Sequence, residues 1–235
     1  MDLAEPETLV RLSLRLPAEV LVLHSIPPVP SGASGELRDP TPQLLEALGQ
    51  RPARMVYLST TGIYGNQPLV DENSPVAPRL PTHFLRLAAE RLVQAGPWPG
   101  LVLRPAGIYG PGRGVHIRIK NGTYKLGGDG HNYLSRIYVD DLAAHCEAGL
   151  LADRDVTGAY PVADERPATS LEMATFCAGL LGLPLPPSIP FEELPATLQA
   201  NRKVDGRTIR QLLGVKLAYP SYREGIPAAL AAEGD

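Results

Sequence analysis

Met55-Val56-Tyr57-Leu58-Ser59-Thr60-Thr61-Gly62-Ile63-Tyr64-Gly65 is a short apolar run that breaks into hydroxyl side chains and then into a turn closed by glycine. Residues 55–58 have the length and composition of a strand buried in a parallel sheet. A hydroxyl at the end of such a strand sits at the sheet's carboxyl edge, where open α/β folds place their ligands. Two runs of the same kind flank it. Val20-Leu21-Val22-Leu23-His24 is stopped by Pro27, Pro28 and Pro30, and Leu101-Val102-Leu103 follows later. Both read as buried strands. Helical patterns separate the three. At Thr41-Pro42 a capping residue precedes a proline at the first helical position, with Leu44, Leu45 and Leu48 as the apolar face. From position 81 to about 95, Phe84, Leu85, Ala88, Ala89, Leu92 and Val93 recur at helical spacing. Strand, helix, strand, helix, strand with short connections predicts an α/β fold with right-handed crossovers and a parallel sheet. Residues 31–40, rich in Ser, Gly and Pro, read as a connection.

Beyond Gly114 the texture changes. Gly122, Gly127, Gly128 and Gly130 punctuate a loop-rich stretch, followed by a helix over about 140–151 and a short strand over 158–163. Ser170 reads as the cap of a helix carrying Leu171, Met173, Ala174, Cys177, Leu180 and Leu181. Pro184, Pro186, Pro187, Pro190 and Pro195 make a stiff connection. A short amphipathic helix through Ile209, Leu212 and Leu213 ends at Gly214, and residues 222–231 suit a terminal helix.

The bulk numbers are those of an ordinary globular chain: 235 residues, 44% apolar, 20% charged, formal charge −3. That charge, with Arg and Lys scattered, excludes a nucleic-acid or anionic-membrane footprint. No apolar run approaches the ~20 residues that span a bilayer. The acidic start Met1-Asp2-Leu3-Ala4-Glu5 is unlike a secretory signal. Cys146 and Cys177 stand apart, without disulfide or zinc-ligand spacing. These features predict a cytoplasmic protein with no metal site.

Three motifs in order carry a resemblance. The first is the quoted stretch from Ser59 to Gly65. The second is Leu103-Arg104-Pro105-Ala106-Gly107-Ile108-Tyr109-Gly110-Pro111-Gly112-Arg113, and the third is Arg136-Ile137-Tyr138-Val139-Asp140-Asp141-Leu142-Ala143. Together they resemble the extended short-chain dehydrogenase/reductase family, the NAD(P)-dependent sugar-nucleotide epimerases and dehydratases. The resemblance runs from about residue 19 to 227. It implies a Rossmann-like parallel sheet with helices on both faces and a small C-terminal substrate lobe. It divides the chain into residues 1–114, a partial NAD(P)-binding core, and 115–235, a lobe whose helices return to the core.

The resemblance also assigns residues. Thr60 matches the hydroxyl that meets the substrate oxygen being oxidised or reduced, and its alternative is a backbone cap at a strand end. Thr82 and Arg86 fall on the family's Tyr-x-x-x-Lys pair, located by Arg86-Leu87-Ala88-Ala89-Glu90. A threonine hydroxyl does not exchange protons near neutrality as a tuned phenol does, and arginine keeps its charge but cannot act as a base. His83 titrates in the useful range and reads as an exposed first-turn residue. Ser25, Ser59, Arg86, Pro105 and Gly107 match cofactor-side positions, with Gly107 and Gly112 permitting positive φ and close backbone approach. Tyr64 reads as a packed aromatic, and Asp140 or Asp141 as a helix cap. The family's phosphate-binding arginine, five residues before Val139, is Leu134 here. Arg113 and Arg136 are the nearby substitutes for substrate binding.

The chain also departs from the family at its front. It has no Gly-x-x-Gly-x-x-Gly or Gly-x-Gly-x-x-Gly after a strand, and Gly32 and Gly35 sit in a loop. The strand over 20–23 resembles the family's fourth. Either the true start lies upstream or the chain is a shortened relative, and the expectation is weak NAD or NADP binding, or none, by the chain as given. Two functions compete. One is an NAD(P)-dependent epimerase/dehydratase-like oxidoreductase acting on a sugar-nucleotide or related small molecule. The other is a non-catalytic Rossmann-like binding or regulatory protein. Family members often pair through the helix holding Thr82, so the resemblance implies a homodimer.

Overall fold

The computed structural model describes residues 6–31 and 35–234. In chain order it places α1 (Pro6–Arg15), β1 (Val20–His24), α2 (Thr41–Leu48), β2 (Pro52–Leu58), α3 (Pro81–Ala95), β3 (Gly100–Pro105) and β4 (Gly107–Tyr109). There follow α4 (Val115–Lys120), β5 (Arg136–Tyr138), α5 (Val139–Leu151), β6 (Gly158–Val162), α6 (Ser170–Leu181), α7 (Arg207–Leu212) and α8 (Tyr222–Glu233). The main sheet has the order β1-β2-β3-β6. β1, β2 and β3 are parallel, with Leu23 opposite Val56 and Leu58 opposite Leu103. The three apolar runs of the sequence are therefore adjacent and parallel, as a Rossmann-like sheet requires.

The chain divides into two compact units: residues 1–65, 75–104 and 146–160 in the first, and 66–74, 105–145 and 161–235 in the second. In the first unit the strand period of two sorts side chains between faces. Met55, Tyr57 and Val102 pack with Leu44 and Leu48 of α2, Ala89 and Val93 of α3 and Leu9 of α1. Val56 and Leu101 face the other way. Gly149 of α5 lies so close to them that a Cβ there would meet Leu101 at 3.0 Å and Val56 at 3.4 Å. Helices thus cover both faces. Arg54, 3% exposed, donates to the carbonyls of Gly149, Asp153 (2.9 Å) and Val156 and so satisfies the C-terminal end of α5.

The second unit is built around α4, α6 and α8, with a core of Val115, Ile119, Tyr138, Met173, Cys177, Tyr222 and Ile226. β4 and β5 form a parallel pair in which Arg136 lies opposite Gly107. Thr169 and Glu172 make a reciprocal capping box for α6.

Several local expectations are corrected. Residues 29–31 and 36–38 pair antiparallel, so the expected connection over 31–40 contains a hairpin; positions 32–34, Gly32 among them, lie outside the described residues. β1 is an edge strand, with Leu21 and Leu23 exposed, rather than a buried one. Thr41 does not cap α2: Pro40 holds the cap position, and the Thr41 hydroxyl bonds Asp39 and His24. Ser170 is displaced as a cap by Thr169, because its hydroxyl is taken by the Gly130 carbonyl at 2.9 Å and by Asn132 at 2.5 Å. Asp141 accepts from the Ala218 and Tyr219 amides at 2.7 and 3.0 Å, pinning the approach to α8 rather than capping α5.

Candidate functional site

β2 delivers Ser59 to the sheet's carboxyl edge, where the Ser59 amide still bonds the Leu103 carbonyl at 2.8 Å. The Ser59 hydroxyl is buried with no hydrogen-bond partner. The chain then turns: Thr60 is extended, and its Oγ1 accepts from the Gly62 amide at 3.0 Å, opening the 3-10 turn Thr61–Tyr64. Thr60 is therefore a cap, which occupies one lone pair and leaves its O–H free to donate. Tyr64 is fully buried and receives Arg104 Nη1 at 2.8 Å, while Arg104 Nη2 pairs with Glu90 of α3 at 2.7 Å. This buried triad fixes the turn against α3.

α3 presents the other half of this edge. Arg86 Nη1 donates to the Leu58 carbonyl at 2.7 Å and to the Tyr57 hydroxyl at 3.2 Å. It is a fixed cation at the end of β2. Burial pushes the Tyr57 phenol up to about 12, against the pull of Arg86. Thr82 stands partly buried in the first turn of the same helix. His83 is partly buried too, correcting the expectation of an exposed side chain. Its ring fills the space a Cβ at Gly62 would need, with Nε2 within 2.5 Å of that point. The glycine there is required by this close approach.

Behind β1 lies a polar cluster that no motif announced. His24 is buried, stacks on Tyr57 at a centroid distance of 5.0 Å, and its Nε2 hydrogen-bonds Thr41 Oγ1 at 2.7 Å, the Thr41 hydroxyl donating in turn to Asp39. Burial drives the His24 imidazole down to about 4, so it is neutral at physiological pH. Ser25, next in sequence, is exposed. In the first unit the structure therefore gathers Ser59, Thr60 and Arg86 on adjoining strand and helix ends. Tyr57 and His24 lie beneath. Neither exchanges a proton near neutrality, because burial holds one protonated and the other neutral.

In the second unit, Gly107 is held by its neighbour rather than by its dihedral. Its φ is not positive, correcting that expectation, whereas Gly112 has φ +70°. A Cβ on Gly107 would overlap Arg136 Nη1, so the guanidinium lies directly over the Gly107 backbone. Pro105 is buried, and Arg113 is exposed on the turn after β4. Burial lowers the pKa of Arg136 and pushes the Asp164 carboxyl up to about 8. The Asp164 amide donates to the Arg136 carbonyl at 2.7 Å. Asp164 also lines a pocket of about 500 Å³ with Val70, Lys203, Val204, Asp205 and Arg210. Among the described residues there is no cluster of metal-ligating side chains, and no helix is long and apolar enough to cross a membrane.

Tyr57, His24 and the Arg104–Glu90 pair escaped the sequence reading because each looks like strand or helix core. The one sequence signal was a charge inside an apolar run, Arg104 after Leu103 and Glu90 after Ala89.

A family model described as the NAD dependent epimerase/dehydratase family matches residues 40–161, just over half of the chain. A 3-diazoavenalumate denitrifying reductase from Streptomyces is 28% identical over 95% of this chain and 79% of its own length. A functionally unknown conserved protein from Silicibacter pomeroyi is 33% identical over 89% of this chain and 77% of its own, with a TM-score of 0.75. The UDP-glucuronic acid 4-epimerase of Bacillus cereus, solved with UDP-glucuronic acid and NAD, has a TM-score of 0.80 at 19% identity, over all of this chain and 80% of its own.

Proposed function

This chain belongs to the NAD-dependent epimerase/dehydratase family, and from that membership we propose that it is an NAD(P)-dependent oxidoreductase of the epimerase/dehydratase type acting on a sugar-nucleotide or related small molecule. One observation carries the reading. A fixed guanidinium, Arg86, and an orphaned buried hydroxyl, Ser59, meet at the carboxyl end of β2. A buried hydroxyl without a partner costs free energy and calls for a ligand group that bonds it. The nicotinamide half of the cofactor fits these groups. Bound nicotinamide supplies or accepts a hydride. In this reading Ser25, Ser59 and Arg86 of the first unit hold it, and Thr60 uses its remaining O–H to orient the substrate oxygen. Thr82 marks the edge of the reacting centre and cannot itself exchange a proton near pH 7. Residues 1–114 serve the cofactor and 115–235 the substrate, with Arg113 and Arg136 on the substrate side. A homodimer through α3 fits the same reading.

The second reading, a non-catalytic binding protein, draws on the same bonds. Thr60 already caps a turn and Arg86 already holds a carbonyl, so both have structural work without a ligand.

Calorimetric titration with NADH and NADPH separates the two. We expect a dissociation constant on the order of 1 mM for one of them, an affinity of about 4 kcal/mol, and at least tenfold weaker binding for Arg86→Ala. No heat from either nucleotide at about 10 mM would sink the oxidoreductase reading and favour the binding protein.

A further inference from the structure

Among the described residues of the second unit, Arg136 stands out as a cation in no ion pair whose Nε is buried without a hydrogen-bond partner. Other guanidiniums of the unit show what the fold normally does. Arg207 bonds Asp205 through Nε and Nη2, and Arg210 pairs with Glu165 at 3.1 Å. Arg136 cannot shed its proton to escape its position. Arg136 is partly buried, and a guanidinium N–H shut off from water without an acceptor is costly unless an anion joins it.

The surroundings define that anion. Gly107 gives the guanidinium a flat seat. The Tyr124 phenol and Cys177 lie within electrostatic reach, as does Arg118, which stands over the Tyr124 ring at 5.3 Å. The nearby carboxyl of Asp164 forms none of the ion pairs found among the described residues, and its Oδ2 is itself buried without a partner; burial raises its pKa against the pull of Arg136. A guanidinium seated on backbone offers a planar fork that matches the two oxygens of a carboxylate. Leu134, two residues earlier on the same stretch, adds no charge.

We propose that Arg136, seated on Gly107 beside Tyr124, anchors a carboxylate group of a small-molecule substrate, so that the substrate is a monocarboxylate rather than a nucleoside diphosphate conjugate. This rests on the reading of the chain as a small-molecule enzyme and narrows its substrate class. Arg136 binds and positions; it takes no part in bond making.

Benzoate, its neutral isostere benzamide, and inorganic pyrophosphate are the probes, titrated calorimetrically against the full chain, Arg136→Met and Arg207→Gln. Benzoate binding at least tenfold tighter than benzamide and than pyrophosphate is expected. Arg136→Met should lose at least tenfold of it, and Arg207→Gln should keep it. Urea midpoints supply a readout that a purely structural arginine would move the other way. Removing an uncompensated cation should leave the ligand-free midpoint unchanged or higher, whereas removing a structural one lowers it. Equal binding of benzoate and benzamide, tighter binding of pyrophosphate, retained benzoate binding in Arg136→Met, or a lowered midpoint in that variant would each overturn the proposal. NADH titration of the same samples reports separately on the oxidoreductase reading, so the two fail independently.

Discussion

Asp164 makes the residue scale measurable. Burial first, then Asp141 and Glu165, hold its carboxyl protonated up to about 8, against the pull of Arg136 and of the Arg166 amide. In the unfolded chain the group titrates near its ordinary 3.8. Between those values the folded state binds the extra proton, so stability falls as pH rises from about 4 to about 8, by at most ~1.4 kcal/mol per pH unit. Asp164→Asn should remove that slope, and urea midpoints at pH 5 and pH 7 will show it; parallel slopes in variant and wild type would refute it. The same titration predicts that carboxylate binding at Arg136 weakens above pH 8, where an ionised Asp164 competes for the guanidinium, and that Asp164→Asn abolishes the weakening. The Arg104–Glu90 pair gives an opposite kind of test. Glu90 is 1% exposed, so Arg104→Met strands a buried carboxylate and should cost about 3–5 kcal/mol, most of it restored by adding Glu90→Leu. A loss below about 1 kcal/mol would mean that the pair behaves as an exposed one. Little of this was legible in the sequence. Thr60 and Arg86 were placed by motif; the Thr60 cap on Gly62 is local and was weighed as its alternative, whereas the Arg86 bond to the Leu58 carbonyl depends on backbone that only the fold brings near. The hydroxyls of Thr41 and Ser170 looked like caps because caps are local, and tertiary partners took them.

At the scale of elements the sequence spoke more clearly. Apolar period located α3 over Pro81–Ala95, and the alternation of strand and helix with short connections gave the adjacent parallel strands. Apolar period misjudged β1, whose run of Val and Leu is as apolar as that of a central strand although Leu21 is 48% and Leu23 43% exposed. Composition does not reveal which strand stands at an edge. An exposed apolar edge invites pairing with another chain. Leu21→Lys with Leu23→Lys should therefore lower self-association in light scattering, while the urea midpoint falls by no more than about 0.5 kcal/mol per site. Undiminished association would place the sticky surface elsewhere. Gly62→Ala should disturb the Thr61–Tyr64 turn or displace the His83 ring, because the new Cβ would meet its Nε2 at 2.5 Å.

For the whole molecule, membership of the NAD-dependent epimerase/dehydratase family and the Rossmann-like sheet stand together. The motif trio was legible because each member is a strand exit with fixed chemistry. The reaction was not, because the positions that would carry proton transfer hold Thr82 and Arg86. The central claim is that nicotinamide rests on the strand and helix ends of the first unit. Hydrogen-exchange mass spectrometry with and without saturating NADH tests it most directly. The account predicts slowed exchange over residues 58–64 and the first turns of α3, absent in Arg86→Ala. Unchanged exchange in both segments, with NADH demonstrably bound, would contradict it.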